Sequence, residues 1–271
     1  MRMRDLPSIL VAAAGDRRYA INISRENLSA VCEKDRVLTR VRNVAAMALA
    51  ASSGATDAIG YLILGHVFTS AMTGNLVLLS ISLGHRDGER AGRVLVSLVC
   101  FVAGAALGAR IARSPKPDDP VWPPAVTRAL ALEAVFVVMY AAYWWTVGAQ
   151  PDIVAKAALL GLGAIALGIQ SSAMQRFGAG LNTTFLSGSL TVLIGQLATG
   201  HRLRDLHHHL LVLVGLVSGG SIGALLVLHA PAFAPLIQLV PLAAALGAAG
   251  WHGRVGRRVA AQLVPDAVPT A

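Results

Sequence analysis

Apolar residues run along this chain in blocks of about 20, separated by short polar links, without the one-faced periodicity of helices or strands that half-bury a surface. A helix needs about 20 mostly apolar residues to cross the ~30 Å hydrocarbon layer of a bilayer. Eight candidate spans can be placed, near 43–64, 67–84, 93–112, 129–148, 154–175, 181–199, 209–229 and 233–251. The second and sixth are short, and a re-entrant or buried helix is the alternative for both. Residues 1–42 are polar and Arg-rich and are expected to form a disordered cytoplasmic tail or a short surface helix. Residues 252–271 read as a second cytoplasmic tail. The fold class is therefore all-α, a polytopic transmembrane helix bundle.

Composition agrees with that pattern. Charged residues make up 14% of the chain, against roughly 25% in soluble domains, so the lipid bilayer is the first partner implied. The net charge of +9 raises nucleic acid as another, but the placement of the cations follows topology instead. With eight crossings, 18 of the 23 Lys and Arg residues fall on the side of the two tails and five on the other, namely Arg110, Arg113, Lys116, Arg128 and Arg176. Cytoplasmic loops carry the excess of cations, so both termini are expected in the cytoplasm. No aromatic or polar residues interleave with the cations as a nucleic-acid surface requires.

The chain also repeats itself. At a separation of 113, Leu49, Ala51 and Asp57 fall on Leu162, Ala164 and Gln170; at 114, Gly74 and Leu76 fall on Gly188 and Leu190. At 115, Ser97–Ala109 overlies Val212–Ala224 and matches Gly104 and Gly108 with Gly219 and Gly223. The fourth and eighth spans align poorly. Two membrane repeats follow, 43–148 and 149–251. Eight spans give two parallel four-span halves, which the charge count favours; if the short segments do not cross, the halves become three-span and inverted. The glycine pairs have the spacing that lets membrane helices approach closely and are assigned to helix packing.

Polar residues inside the spans are the candidates for chemistry. Asp57 lies about 14 residues into the first span, where an unpaired carboxylate costs on the order of 3 kcal/mol. Its counterpart in the sequence repeat is neutral Gln170. Thr69, Ser70, Thr73 and Asn75 in one half, and Asn182, Thr183, Thr184, Ser187, Ser189 and Thr191 in the other, gather around Gly74 and Gly188. Unwound backbone with hydroxyls and amides is one way a membrane protein holds an ion or small polar solute; Ser and Thr bonding back to their own helices is the other reading. Glu133, five residues after Arg128, reads as an interfacial charge, and Tyr140, Tyr143, Trp144, Trp145 and Trp251 as an aromatic belt. No residue pattern calls for a metal or a cofactor, and no catalytic constellation is visible.

The run Gly54-Ala55-Thr56-Asp57-Ala58-Ile59-Gly60-Tyr61-Leu62, followed by Met72-Thr73-Gly74-Asn75-Leu76, resembles the first signature of the YoaK-like family, domain of unknown function 1275. Leu167-Gly168-Ile169-Gln170, Arg176, Gly178, Asn182-Thr183-Thr184 and Ser187-Gly188-Ser189 are similar to its second signature, although Ser171 and Ser172 stand where the family tends to carry Asn-Ala. The resemblance covers roughly residues 44–250 and implies a bacterial multi-pass membrane protein without an assigned activity. The expected function is a secondary transporter or permease for an unknown small polar solute or ion, proton-coupled through Asp57. The alternative is a non-transporting scaffold or sensor, and an enzyme is not expected. A water-filled cavity between Asp57 and Gln170 would favour transport; sealed helix contacts would favour the scaffold.

Overall fold

The computed structural model describes residues 25–112, 122–148, 150–177, 186–200 and 206–263. Among these residues the chain forms α1 (Arg25–Leu62), α2 (Met72–Gly84), α3 (Gly88–Ala112), α4 (Pro124–Val147), α5 (Ile153–Met174), α6 (Leu186–Ala198), α7 (His207–His229) and α8 (Leu236–Leu263). Short 3-10 turns follow α5 and precede α8. Five segments are long and apolar enough to cross a membrane: Gly88–Ala112, Pro124–Val147, Ile153–Met174, His208–His229 and Pro231–Trp251. The stretch 43–62 of α1 is less apolar than these five, with Asn43, Ser52, Ser53, Thr56 and Asp57 along it. The protein is thus an all-α polytopic membrane bundle.

Two expectations shift in detail. The short second and sixth segments contain helices of 13 residues each, about 20 Å long and well below the ~30 Å layer. Residues 25–42 and 252–263, assigned to the tails, continue α1 and α8 as helix. Residues 25–42 contain no glycine or proline to stop a helix already nucleated at the membrane.

The bundle is held by two close helix crossings. In α7, a methyl added to Gly219 would stand 2.0 Å from the Ala51 carbonyl oxygen, and one on Gly223 would stand 2.7 Å from the Ala55 Cα. In α3, the same addition to Gly104 would stand 2.2 Å from the Ile165 carbonyl oxygen, and to Gly108 2.9 Å from the Ile169 Cα. Backbone therefore lies directly on backbone in both crossings, α1 on α7 and α5 on α3, with dispersion contacts that larger residues would prevent. The pairs interconvert when 114 is added to the α1 number and 115 taken from the α7 number. Gly54 on Leu216 and Gly168 on Phe101 obey the same rule.

This packing register refines the sequence alignment by one residue. On a separation of 114, Gln170 takes the position of Thr56, and Asp57 corresponds to Ser171. The fourth and eighth helices, which align poorly as letters, match in burial. Ala129, Glu133, Val137, Tyr140 and Trp144 are buried along α4, and Ala234, Gln238, Leu242, Ala245 and Ala249 lie 105 residues later, buried in α8 or just before it.

Helix directions follow from paired contacts. Gln170 Nε2 donates to the Leu49 carbonyl at 3.2 Å, and a methyl on Gly163 would be 3.5 Å from the Thr56 Cγ2. Numbers rise along α1 as they fall along α5, so these helices are antiparallel. The core divides into one cluster around Leu49, Leu130, Ile169 and Leu242 and another around Ile59, Leu64, Leu159, Leu160 and Trp144. Tyr140 and Trp144 belong to the buried interior, so the aromatic belt keeps only Trp145 and Trp251 as exposed indoles. Trp144 and Trp145 donate their indole N–H to the Pro231 and Ala232 carbonyls, tying the end of α4 to the α7–α8 link.

Gly219→Leu forces a side chain into the Ala51 backbone and is expected to cost about 3 kcal/mol or more, read as loss of monodisperse protein and a lowered melting temperature in detergent. Gly195→Ala, where a methyl meets nothing within 4 Å, is expected to be neutral or stabilising by up to ~1 kcal/mol.

Candidate functional site

The polar signature of the first repeat folds back along α1 as a loop. After Leu62 the chain reverses through Gly65 and His66, both with positive φ, 103° and 60°. Glycine suits the first because L side chains rarely adopt that backbone, and because a methyl there would strike the Arg93 side chain at 2.4 Å. The contact also sets the end of α1 beside the beginning of α3. Tyr61 stacks on Phe68 at 5.3 Å and meets His66 edge-on at 5.1 Å, filling the turn.

The chain then runs back along α1. Asp57 Oδ1 accepts hydrogen bonds from the Thr69 and Ser70 backbone N–H groups, each at 2.7 Å, and from the Thr69 hydroxyl at 2.9 Å. Its Oδ2 accepts from the Ser70 hydroxyl at 2.6 Å, which also meets the Ser53 hydroxyl at 2.8 Å. Thr69, Ser70 and Ser53 are all buried. A carboxylate is acceptor-only and suits a site with four convergent donors. The N-terminal end of α2, the positive end of its dipole, begins two residues after Ser70.

A second lock follows. Asn75 Oδ1 accepts from the Phe68 N–H at 3.0 Å while its Nδ2 donates to the Phe68 carbonyl at 2.7 Å and to the Ser97 hydroxyl at 3.2 Å. The Ser97 hydroxyl donates to the same Phe68 carbonyl at 2.6 Å. Residues 75 and 97 lie equidistant from the turn at Arg86, so α2 and α3 form a hairpin, and α2 leads away from Asp57 toward the end at which it meets α3.

The predicted site residues are therefore not one open cluster. Asp57 and Asn75 hold the loop, while Thr73 on α2 is exposed. Gln170 is fully buried on α5 against the α1 backbone. Asp57 does not bond to it: among the described residues, the hydrogen-bond partners of its carboxylate all come from the loop. Asn182, Thr183 and Thr184 lie outside the described residues, as do the side chains of Ser187 and Ser189 in the first turn of α6. Gly104, Gly108, Gly219 and Gly223 occupy the two helix crossings.

The sequence reading missed a second polar set. Glu133, expected at the interface beside Arg128, is 1% exposed and its Oε2 has no hydrogen-bond partner among the described residues; Arg128 is exposed. Tyr140 and Gln238 are also buried, and the Tyr140 hydroxyl and Gln238 Nε2 lack partners with hydrogen-bond geometry, though the two groups adjoin. The signal that finds Glu133 is helix phase: it shares one face with Ala129, Val137 and Tyr140, at spacings of four and seven. Two apolar grooves flank the bundle. One, among α3, α4 and α5, is lined by Val96, Cys100, Met139, Tyr143 and Leu162; the other, between α1 and α8, by Arg40, Val44, Ala48 and Ala244. Neither lining includes Asp57 or Glu133.

Among known proteins, the family described as a protein of unknown function (DUF1275) matches residues 45–248. The chain is similar to the UPF0700 transmembrane protein YoaK of Bacillus subtilis (strain 168), 35% identical over 158 residues that cover 58% of this chain and 68% of that protein. No solved structure matches.

Asp57→Ala leaves two buried backbone N–H groups without an acceptor, at about 1–3 kcal/mol each, and is expected to lower the melting temperature and to speed hydrogen exchange at Thr69 and Ser70. Asp57→Asn, which keeps one carbonyl oxygen for both N–H groups, should recover part of that protection.

Proposed function

We propose a transport function from the premise that this chain belongs to the DUF1275 family of YoaK-like bacterial multi-pass membrane proteins: a secondary transporter or permease for a small polar solute, built from two inverted three-span repeats. The observation that carries the reading is the antiparallel pairing of α1 with α5 together with the re-entrant segment 63–84. If α2 crossed the layer, the start of α3 would lie on the far side from the end of α1. The contact of Gly65 with Arg93 supports the opposite arrangement, with α2 leaving by the face at which α1 ended.

Charge supports six crossings over eight. With α2 and α6 not crossing, 19 of the 23 Lys and Arg residues lie on the side of the termini, and only Arg86, Arg90, Arg93 and Lys156 lie on the other. This division is steeper than the eight-span count gives, and it keeps both termini in the cytoplasm. Inverted repeats with interrupted helices near the midplane are a recurrent plan among secondary transporters, in which one repeat rocks against the other. Asp57, with all its bonds inside one loop, serves this plan as an anchor of the loop.

The non-transporting scaffold or sensor remains the second reading, favoured by the sealed surroundings of Asp57 and by the apolar lining of both grooves. Purified protein in proteoliposomes, challenged with a panel of ions, amino acids, sugars and organic acids, separates the two. Solute-specific flux supports the transporter; absence of flux across the panel, with a membrane partner co-purifying, supports the scaffold.

The topology has its own test. With Cys32 and Cys100 replaced, a cysteine at Arg86 is expected to react with an impermeant maleimide added to intact cells, and one at Lys116 only after the membrane is opened. Labelling in the reverse order returns the chain to two parallel four-span halves.

A further inference from the structure

We propose that Glu133 is a proton-binding site inside the membrane bundle, taking up and releasing one proton reversibly while the protein stays folded. The inference is independent of transport, since a scaffold or sensor could carry the same proton.

Glu133 sits on the inward face of α4 and is 1% exposed, with Oε2 unbonded. A buried carboxylate without a counter-ion or donors is unfavourable by several kcal/mol in a low-dielectric interior, whereas the neutral acid is tolerated. Among the described residues no ion pair joins Glu133 to a cation, although Arg42 of α1 and Arg176 in the turn after α5 are half-buried. On α4, Arg128 is exposed; on α3, Arg110 is exposed and Arg93 pairs with Glu89. On α5 the one charged residue is Lys156, in its first turn, and α8 carries none between Leu236 and Trp251. Asp57, on α1, is bound to its loop.

Release requires groups able to receive the carboxylate, and two stand nearby. Tyr140 lies two turns further along the same face, about 10 Å along the axis, and Gln238 of α8 adjoins it. Both have a donor without a partner of hydrogen-bond geometry. Bridging that distance to Glu133 takes a chain of waters or a movement of α4 against α8. The symmetry of the fold sharpens the contrast: Gln238 occupies in α8 the place of Glu133 in α4, and Ala245 that of Tyr140. The repeat thus carries one titratable group and one neutral amide at matched buried positions. In the proposed step the O–H bond of the Glu133 carboxyl breaks, the proton passes to water, and the carboxylate keeps the electron pair; uptake reverses it.

Infrared titration of the reconstituted wild-type protein tests this directly, through the C=O stretch of a protonated carboxyl. Water-exposed glutamates ionise near roughly pH 4.3, so a band that persists at neutral pH reports a buried acid. The expected result is such a band at neutral pH that is lost as the pH is raised, moves on isotopic labelling of glutamate carboxyls but not aspartate, and is missing in Glu133→Gln. The labelling identifies the group even if that variant fails to fold. A band absent at neutral pH, one that survives to the alkaline limit of folding, or one that follows aspartate labelling overturns the proposal.

Discussion

A backbone that leaves the helix inside a lipid layer exposes N–H groups that no bulk water can satisfy. The helix of this chain ends at Leu62, and the geometry of its first repeat depends on how the freed backbone groups are met. Asp57 supplies an acceptor for two backbone N–H groups and two hydroxyls, and Asn75 pairs with both the N–H and the carbonyl of Phe68. With those bonds in place, residues 67–71 can lie against α1, and α2 can start within the bundle and turn back toward the beginning of α3. Without them, the polar backbone would have to become helix or reach water, and the direction of α3 relative to α1 would no longer be set.

The glycine crossings do the complementary work. They bring α1 onto α7 and α5 onto α3 at backbone distance, so each repeat's first helix is held by the third helix of the other repeat. Neither half can bury its own first helix this way, which makes the two repeats one folding unit. The close approach also restricts register, since sliding by one residue in one direction would bring Ser218 and Ile222, or Ala103 and Leu107, to the contacts.

Much of this was legible in the residues. The apolar blocks located the helices, the glycine spacing located both crossings, and Asp57 was singled out because a carboxylate at that depth demands partners. The number of crossings was harder to read, because length alone does not separate a short span from a coil followed by a half-helix. Thr69 and Ser70 read as ligands for a solute, whereas they are donors to Asp57. Pairing Asp57 with Gln170 missed by one residue because small insertions in the link leave letter matches ambiguous, while backbone contacts are not. The fourth and eighth helices share which positions face inward but not which side chains fill them, since a buried apolar site accepts many residues of similar volume. Glu133 was hidden by its nearness in sequence to Arg128, although its helical phase points it to the interior.

The two intramembrane carboxyls consequently play unlike parts, and the difference lies in their partners. Asp57 has all its hydrogen bonds made within one loop, so its environment is arranged for permanence; moving it would expose the loop it holds. Glu133 has, among the described residues, no bonded partner at Oε2 and no ion pair, so its environment is arranged for the neutral form, with the donors of Tyr140 and Gln238 about two turns away. A group whose solvation is already complete resists any change in the helices around it. One whose solvation is incomplete changes its protonation when those helices move, and by linkage moves them when it is protonated. The position of Glu133 on α4, against α5 and the pseudo-equivalent α8, places that sensitivity where the two repeats meet.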